Sequence, residues 1–352
     1  MDTSLVTKRD AAAVLDAART RIHPVLREAV EALPSAMRLV ASYHFGWRDR
    51  EGRPVAGTPA MGKTLRPALV FLAAAAVTGR SPVSGADDTV VRAGVAVELV
   101  HNFTLIHDDV IDQDALRRHR ETVWKVFGVP SAILAGDALQ ALATQVLAKA
   151  ATPIAATGVS VLQDCVQELI EGQAADLSFE TRNDVGLTEC VAMAGGKTGA
   201  LISCACALGA LLSGASQEQV QRLRAFGMHF GLAFQLADDL LGIWGDPGVT
   251  GKPAQSDLWS RKKSLPVVAA LNSGTEAALE LSAMYQKPDA WDHTEVLRAL
   301  TLLERAGGRT WTHQEAARQA ASALACLDGV GLDQAATADL AALTHLAAAR
   351  ER

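Results

Sequence analysis

Two pairs of adjacent aspartates interrupt apolar stretches of this 352-residue chain. The first lies in "LIHDDVIDQDALRRHRETVW", where Asp108, Asp109 and Asp112 end an apolar run. Residues four apart on a helix share a face, so Asp108 and Asp112 point the same way. Like charges at that spacing cost roughly 0.2–0.5 kcal/mol, and carboxylates are seldom buried without a partner. A hard divalent cation is an economical partner. Mg²⁺ takes oxygen ligands, keeps waters, and is typically held by one or two carboxylates plus substrate phosphates. In isolation the D-D-x-x-D pattern also reads as a solvated acidic helix end, salt-bridged to Arg117 and Arg118. The second pair, Asp238 and Asp239, follows Gln235 in "FGLAFQLADDLLGIWGD". Two such helices facing each other would make a cavity with carboxylates on both walls, suited to metal ions that clamp a diphosphate and neutralise charge growing on its oxygens.

Basic residues accompany both clusters. Lys63 and Arg66 sit three apart in "GKTLRP", Arg117 and Arg118 follow the first aspartates, and Lys252 lies in the Gly-rich "VTGKPAQSD" with Lys262 and Lys263 beyond. His101 shares a helix with Phe103. Each alone is an ordinary surface charge. Together they form two cation groups beside two carboxylate groups, Arg suiting bidentate phosphate contact and Lys acting as a point charge. One diphosphate held through metals and a second held by Lys and Arg alone implies a reaction between two diphosphate-bearing molecules.

The elements that must carry these groups are helices. The chain is 49% hydrophobic, 20% charged and 5% aromatic, and helical periodicity recurs while strand alternation is nearly missing. The pattern predicts helices near 10–32, 34–43, 63–79, 87–108, 131–150, 154–173, 187–213, 216–241, 262–273, 293–306, 311–327 and 332–350. Polar Gly/Pro loops at 46–59, 79–88 and 245–257 separate some of them. With no long linker and no repeat, one all-α domain over 1–352 is expected, with residues 1–19 peripheral and surplus apolar surface covered in a homodimer. A net charge of −6 argues against a nucleic-acid partner. Five cysteines without a C-x-x-C pair read as buried thiols in a reducing, cytoplasmic setting. The N-terminus has no signal-peptide core. No uninterrupted apolar run reaches about 18 residues, so no membrane span is expected.

In order along the chain, "GKTLRP", "ELVHNFTLIHDDVID", "RRHRETVW", "ILAGDAL", "EGQAADLSFE", "GGKTGALI", "FGLAFQLADDLLG" and "GDPGVTGKPAQSDL" resemble the trans-isoprenyl diphosphate synthases, or polyprenyl synthetases. The resemblance covers roughly residues 20–270 well and the C-terminal helices weakly. It implies an isoprenoid-synthase-type helical bundle with a central active-site cavity, usually dimeric. It also implies Mg²⁺-assisted head-to-tail joining of an allylic diphosphate to isopentenyl diphosphate, with three Mg²⁺ per site. Carried over, Asp108 and Asp112 bind two metals with Asp109 in support. Asp238 binds the third, with Asp239 holding its waters. Arg117, Lys197 and Lys252 hold the allylic diphosphate, with Lys262 following Lys252. Lys63, Arg66, His101 and Arg118 hold isopentenyl diphosphate. Gln235 and Thr198 lie against the reacting carbons.

Phe103, five before Asp108, resembles the tunnel floor of enzymes that stop at geranylgeranyl diphosphate. Thr104 beside it is small, which leaves farnesyl diphosphate or a longer product open. Four positions depart from the family pattern. Gly242 stands where many members have a third Asp, with Asp246 nearby; Glu121 replaces a Pro; Gln255 replaces a Gly; and Thr64 replaces a basic residue. A terpene cyclase on the same bundle would not need the isopentenyl group of cations. A regulatory subunit of a heteromeric synthase would be expected to lose acidic residues, and both Asp-Asp pairs are intact.

Overall fold

The computed structural model describes residues 11–55, 64–80, 87–150, 152–246 and 255–348. Its helices are α1 (Ala11–Glu31), α2 (Ser35–His44), α3 (Leu65–Thr78), α4 (Asp88–Ile111), α5 (Val123–Phe127), α6 (Val129–Ala148), α7 (Pro153–Thr181), α8 (Leu187–Ala194), α9 (Ala200–Leu211), α10 (Gln217–Trp244), α11 (Ser256–Trp259), α12 (Leu265–Leu271), α13 (Glu276–Tyr285), α14 (His293–Arg305), α15 (Gly308–Ala325) and α16 (Gln334–Ala348). A π-helical turn, Gly195–Gly199, joins α8 to α9. Among the described residues the one sheet is a two-stranded antiparallel ribbon, β1 (Leu116–Arg117) with β2 (Arg120–Glu121). The all-α expectation therefore holds.

The chain divides into two compact units. The first comprises Met1–Val166, Cys204–Leu223 and Gly329–Leu340; the second comprises Gln167–Ser203, Arg224–Asp328 and Ala341–Arg352. In the first, α4 packs on α6, α3 and α1 around the fully buried Ile22, Leu26, Phe71, Leu99, Ile106 and Leu139. Helix α1 presents Val14, Ala18, Ile22, Leu26 and Val30 to this core, a ladder at four-residue spacing. Val14 and Ala18 thus bring part of the 1–19 segment into this core, while residues 1–10 lie outside those described. In the second unit, one apolar cluster includes Ile243, Leu258, Val267, Leu281 and Leu303, and another includes Phe179, Cys190, Leu236, Leu265 and Val268.

Several boundaries differ from the sequence reading. Helix α7 runs on to Thr181 because Gly172 is a packing position and does not break the helix. Helix α13 starts at the Thr275 cap, whose side chain accepts from Ala278 N–H; its exposed Leu279, at 73%, breaks the apolar stripe that periodicity looks for. Three helical stretches, Asp88–Ile111, Val129–Ala148 and Leu187–Leu211, are long and apolar enough to cross a membrane by length and composition. The expectation of no membrane span rested on uninterrupted apolar runs, whereas these helices qualify on average hydropathy with polar residues interspersed. The apolar windows of the first and third are 83% and 72% buried within the protein, and that of Val129–Ala148 is 44% buried. All five cysteines are buried, Cys165, Cys204 and Cys206 in the first unit and Cys190 and Cys326 in the second.

Candidate active site

The first acidic cluster closes α4. Asp112 caps the helix, its N–H donating to Asp108 O at 2.8 Å, and Gln113 at φ +56° turns the chain away. Three aspartates thus sit at the carbonyl end of a helix, where the backbone is already partly negative. Asp108 is half-buried, Asp112 exposed, and Asp109 only 1% exposed. Arg117 donates to Asp109 Oδ1 through Nε and Nη2, both at 2.7 Å. Asp109 Oδ2 is buried with no hydrogen-bond partner among the described residues. Burial pushes the Asp109 carboxyl up to about 6, against the downward pull of Arg117, with Asp114 and Asp108 adding to the rise.

Arg117 reaches Asp109 from the ribbon. Arg118 and His119 form its turn at φ +50° and +62°, a type I′ geometry that normally selects Asn-Gly. The strain places two arginines side by side at the cluster. Arg120 stacks 4.5 Å over the Tyr43 ring and donates to Tyr43 O at 3.1 Å, while Tyr43 Oη donates to Glu121 O at 2.9 Å. Glu121 is therefore held by its backbone, and its exposed side chain lines one pocket with Asp109, Arg117, Arg118 and Arg120.

Arg66, His101 and Arg118, expected from the sequence to hold isopentenyl diphosphate, act on one another electrostatically. Burial holds the His101 ring well below the usual imidazole range, and Arg66, Arg118, Arg117 and His44 all press the same way. Glu98, buried at 5% exposure, answers these charges. Burial raises its carboxyl, while Arg66, Asn102 and Arg118 favour its ionised form. Asn102 donates to Glu98 O at 2.7 Å and Oε1 at 3.3 Å, and its Oδ1 accepts from His44 Nε2 at 2.9 Å. Glu98, Asn102 and His44 escaped the sequence reading; a buried polar pair at i and i+4 inside "ELVHN" was the available signal. Phe103 and Thr104 are buried, with Thr104 Oγ1 donating to His101 O at 2.8 Å. Lys63 and Lys252 lie outside the described residues.

In the second unit the candidate site residues sit where glycines let backbones approach closely. A Cβ at Gly172 of α7 would stand 2.4 Å from Lys197 N, and one at Gly196 2.9 Å from Glu168 O. A Cβ at Gly231 would stand 2.7 Å from Gly199 Cα. Backbones at such approach leave room for no side chain. The π turn between them presents Lys197 and Thr198, a use of π-bulges common at functional sites. Lys197 Nζ lies 2.5 Å from Asp176 Oδ2, so Asp176, unremarked in "EGQAADLSFE", is its partner here. Thr198 donates to Gln235 Oε1 at 2.6 Å, Gln235 Nε2 donates to Asp239 Oδ1 at 2.7 Å, and Leu265 N–H donates to Asp239 Oδ2 at 3.0 Å. Burial pushes Asp239 up to about 6, opposed by Lys262, Gln235 and Leu265, with Asp257 adding to the rise.

Asp238 is half-buried and Lys262 exposed, and Lys262 lines a pocket with Asp176, Lys197, Thr198, Gln235 and Asp239. The buried Lys263 ammonium caps α7 by donating to Phe179 O at 2.6 Å, Glu180 O at 3.2 Å and Arg182 O. Gly242 is explained by a neighbour: a Cβ there would stand 2.5 Å from Asp257 Oδ2. The Asp257 carboxylate occupies the space a third motif side chain would claim. Asp246 lies exposed beyond the end of α10. Gln255 sits at φ +56°, which is why glycine suits that position. Among the described residues no three His, Cys, Asp or Glu side chains converge as a ready metal site; each unit offers carboxylate oxygens that bound phosphates and waters would complete.

The polyprenyl synthetase family model matches residues 55–303. A (2E,6E)-farnesyl diphosphate synthase of Mycobacterium bovis is 44% identical over 348 residues, 98% of this chain and 94% of that protein. A geranylgeranyl diphosphate synthase of Mycobacterium tuberculosis is 46% identical over 340 residues, 96% of this chain and 94% of that protein. The crystal structure of a polyprenyl synthetase from Streptomyces coelicolor A3(2) superposes with a TM-score of 0.89 at 47% identity, covering 96% of this chain and 99% of that one. With acidic clusters on two helices, adjoining cations and this likeness over nearly its whole length, the chain belongs to the polyprenyl synthetase family.

Proposed function

We propose that this chain is a short-chain trans-prenyltransferase that joins isopentenyl diphosphate to dimethylallyl, geranyl or farnesyl diphosphate, with geranylgeranyl diphosphate as its product. The observation that carries the reading is the first acidic cluster with the Arg117–Asp109 contact at 2.7 Å and Arg118 beside it. The near full-length likeness to farnesyl and geranylgeranyl diphosphate synthases supports it.

The donor set suits Mg²⁺, since Asp108 and Asp112 offer oxygens one helical turn apart and Asp109 keeps a buried oxygen without a hydrogen bond. Asp108, Asp112 and Asp238 would hold the ions, three per site. When bound, they supply positive charge to the oxygens of the departing diphosphate. Arg117, Lys197 and Lys252 hold the allylic diphosphate as its carbon–oxygen bond breaks. Asp109 and Asp176 keep Arg117 and Lys197 oriented beforehand. Lys63, Arg66, His101 and Arg118 hold isopentenyl diphosphate, whose double bond attacks the allylic carbon. A proton then leaves to the released diphosphate. Thr198 and Gln235 lie against the reacting carbons, locked by their hydrogen bonds to each other and to Asp239. Phe103 floors the chain tunnel.

Both units act as one domain, a reading supported by the single family match over 55–303. The enzyme is a cytoplasmic homodimer without a membrane span. Val129, Ile133 and Leu134 on α6, 41–56% exposed, are suited to a second copy. The cyclase alternative leaves Arg66, His101 and Arg118 without a purpose. The test supplies purified protein with isopentenyl diphosphate, Mg²⁺ and each allylic diphosphate, and reads products by mass. Geranylgeranyl diphosphate is expected; a hydrocarbon formed without consuming isopentenyl diphosphate would overturn the reading. Asp108→Ala is expected to abolish turnover with its helical circular dichroism retained.

A further inference from the structure

We propose that His107, seated in the notch left by Gly136, is a positioning residue that sets product length by holding the Phe103 ring. The inference rests on Phe103 as the tunnel floor, as read above, and adds what keeps that floor in place.

Phe103 and His107 lie one turn apart on α4, on one face. Their rings meet edge to face, centroids 5.8 Å apart at 75°. His107 is itself fixed from α6. Its Nε2 lies 3.0 Å from Ile133 O, so that nitrogen carries the proton and donates. Its ring lies over Gly136, where an ideal Cβ would stand 2.1 Å from Nε2 and 2.4 Å from Cδ2. No side chain fits there with the ring in place. Asp137, at 3.9 Å from Nε2, is outside hydrogen-bond range. The imidazole is thus trapped between the Ile133 carbonyl, the Gly136 backbone and the Phe103 ring. A phenylalanine on a helix has few alternatives at χ1. Removing the ring against its edge opens the space into which it can swing away from the tunnel. Gly136 in "ILAGDAL" thereby acts on the product through two side chains.

The experiment compares product lengths from Phe103→Ala, His107→Ala, His107→Asn, Gly136→Ala and the double variant Phe103→Ala/His107→Ala, each with isopentenyl and farnesyl diphosphates. His107→Asn keeps a donor near Ile133 O without the ring edge, and guards against a fold defect in the alanine variant. Each single variant is expected to lengthen the main product by at least one isoprene unit. The double variant is expected to match Phe103→Ala alone, because His107 acts through Phe103. If Phe103→Ala lengthens the product while the His107 and Gly136 variants do not, the inference is overturned and the tunnel-floor reading stands. A double variant longer than Phe103→Ala also overturns it, since His107 would then act on the chain directly. If Phe103→Ala leaves the product unchanged, the floor reading falls and this inference falls with it.

Discussion

Gly172→Ala and Gly158→Ala make the same chemical change on the same helix, α7, and should have opposite effects. At Gly158 the new methyl group would meet Leu212 Cδ2 at 3.4 Å, Leu208 Cδ2 at 3.5 Å and Leu147 Cδ2 at 3.7 Å, ordinary contact distances. The substitution then collects the helical preference for Ala over Gly, about 1 kcal/mol of stabilisation. At Gly172 the methyl group would stand 2.4 Å from Lys197 N, 2.8 Å from Gly196 C and 3.0 Å from Lys197 Cα. These are backbone atoms and cannot rotate aside. Carbon contacts settle at about 3.5–4.0 Å, so the π turn must retreat by about 1 Å. Overpacking of this kind costs about 1–3 kcal/mol. With the same propensity gain of about 1 kcal/mol in its favour, the net loss is about 0–2 kcal/mol. Lys197 and its partner Asp176 move with that turn, and a misplacement near 1 Å can cost about 10²-fold in rate. Urea midpoints by circular dichroism and turnover with isopentenyl and farnesyl diphosphates check both effects. If the two variants shift stability alike, or if Gly172→Ala keeps wild-type turnover, the close-approach argument is wrong.

Gly242→Ala should drive a methyl group into the Asp257 carboxylate, an overpacking cost of about 1–3 kcal/mol offset by about 1 kcal/mol of helix propensity; adding Asp257→Ala should recover much of any loss, and strictly additive urea midpoints would show that the two side chains do not compete. Acid should weaken the fold through His44. Its ring is held down to about 4 by burial, the Asn102 hydrogen bond opposing and Arg117, Arg118 and Arg120 adding to the depression. Between an unfolded value of about 6.5 and that folded value the unfolded chain binds a proton that the folded ring refuses. Stability therefore falls as pH drops through the window, by at most about 2 kcal/mol between neutral pH and pH 5. Urea midpoints of wild type and His44→Gln across that range test it, the variant being expected to show the shallower slope; parallel slopes would contradict the assignment.

The periodic helices were legible because their apolar faces repeat locally, as in the Val14-to-Val30 ladder of α1. The acidic clusters were legible because charge inside an apolar run is conspicuous in one dimension. What stayed hidden were pairings over distance. Asp176 meets Lys197 21 residues away, and His44 meets Asn102 58 residues away. The helix predicted to end near 173 runs on to Thr181, with Gly172 inside it packed against the Gly196–Lys197 backbone, a long-range contact the sequence does not display. The ribbon at Leu116–Glu121 defied prediction because its turn uses Arg and His where Asn and Gly are favoured.

The five buried thiols make the molecule its own reporter. Three belong to the first unit and two to the second, and each is shielded until its surroundings open. Burial also raises the Cys190 and Cys206 thiols well above the usual thiol range, so neither is a reactive thiolate while folded. Pulsed alkylation followed by peptide mass mapping would then record which unit exposes its cysteines first under denaturant, and whether diphosphates protect the two units equally.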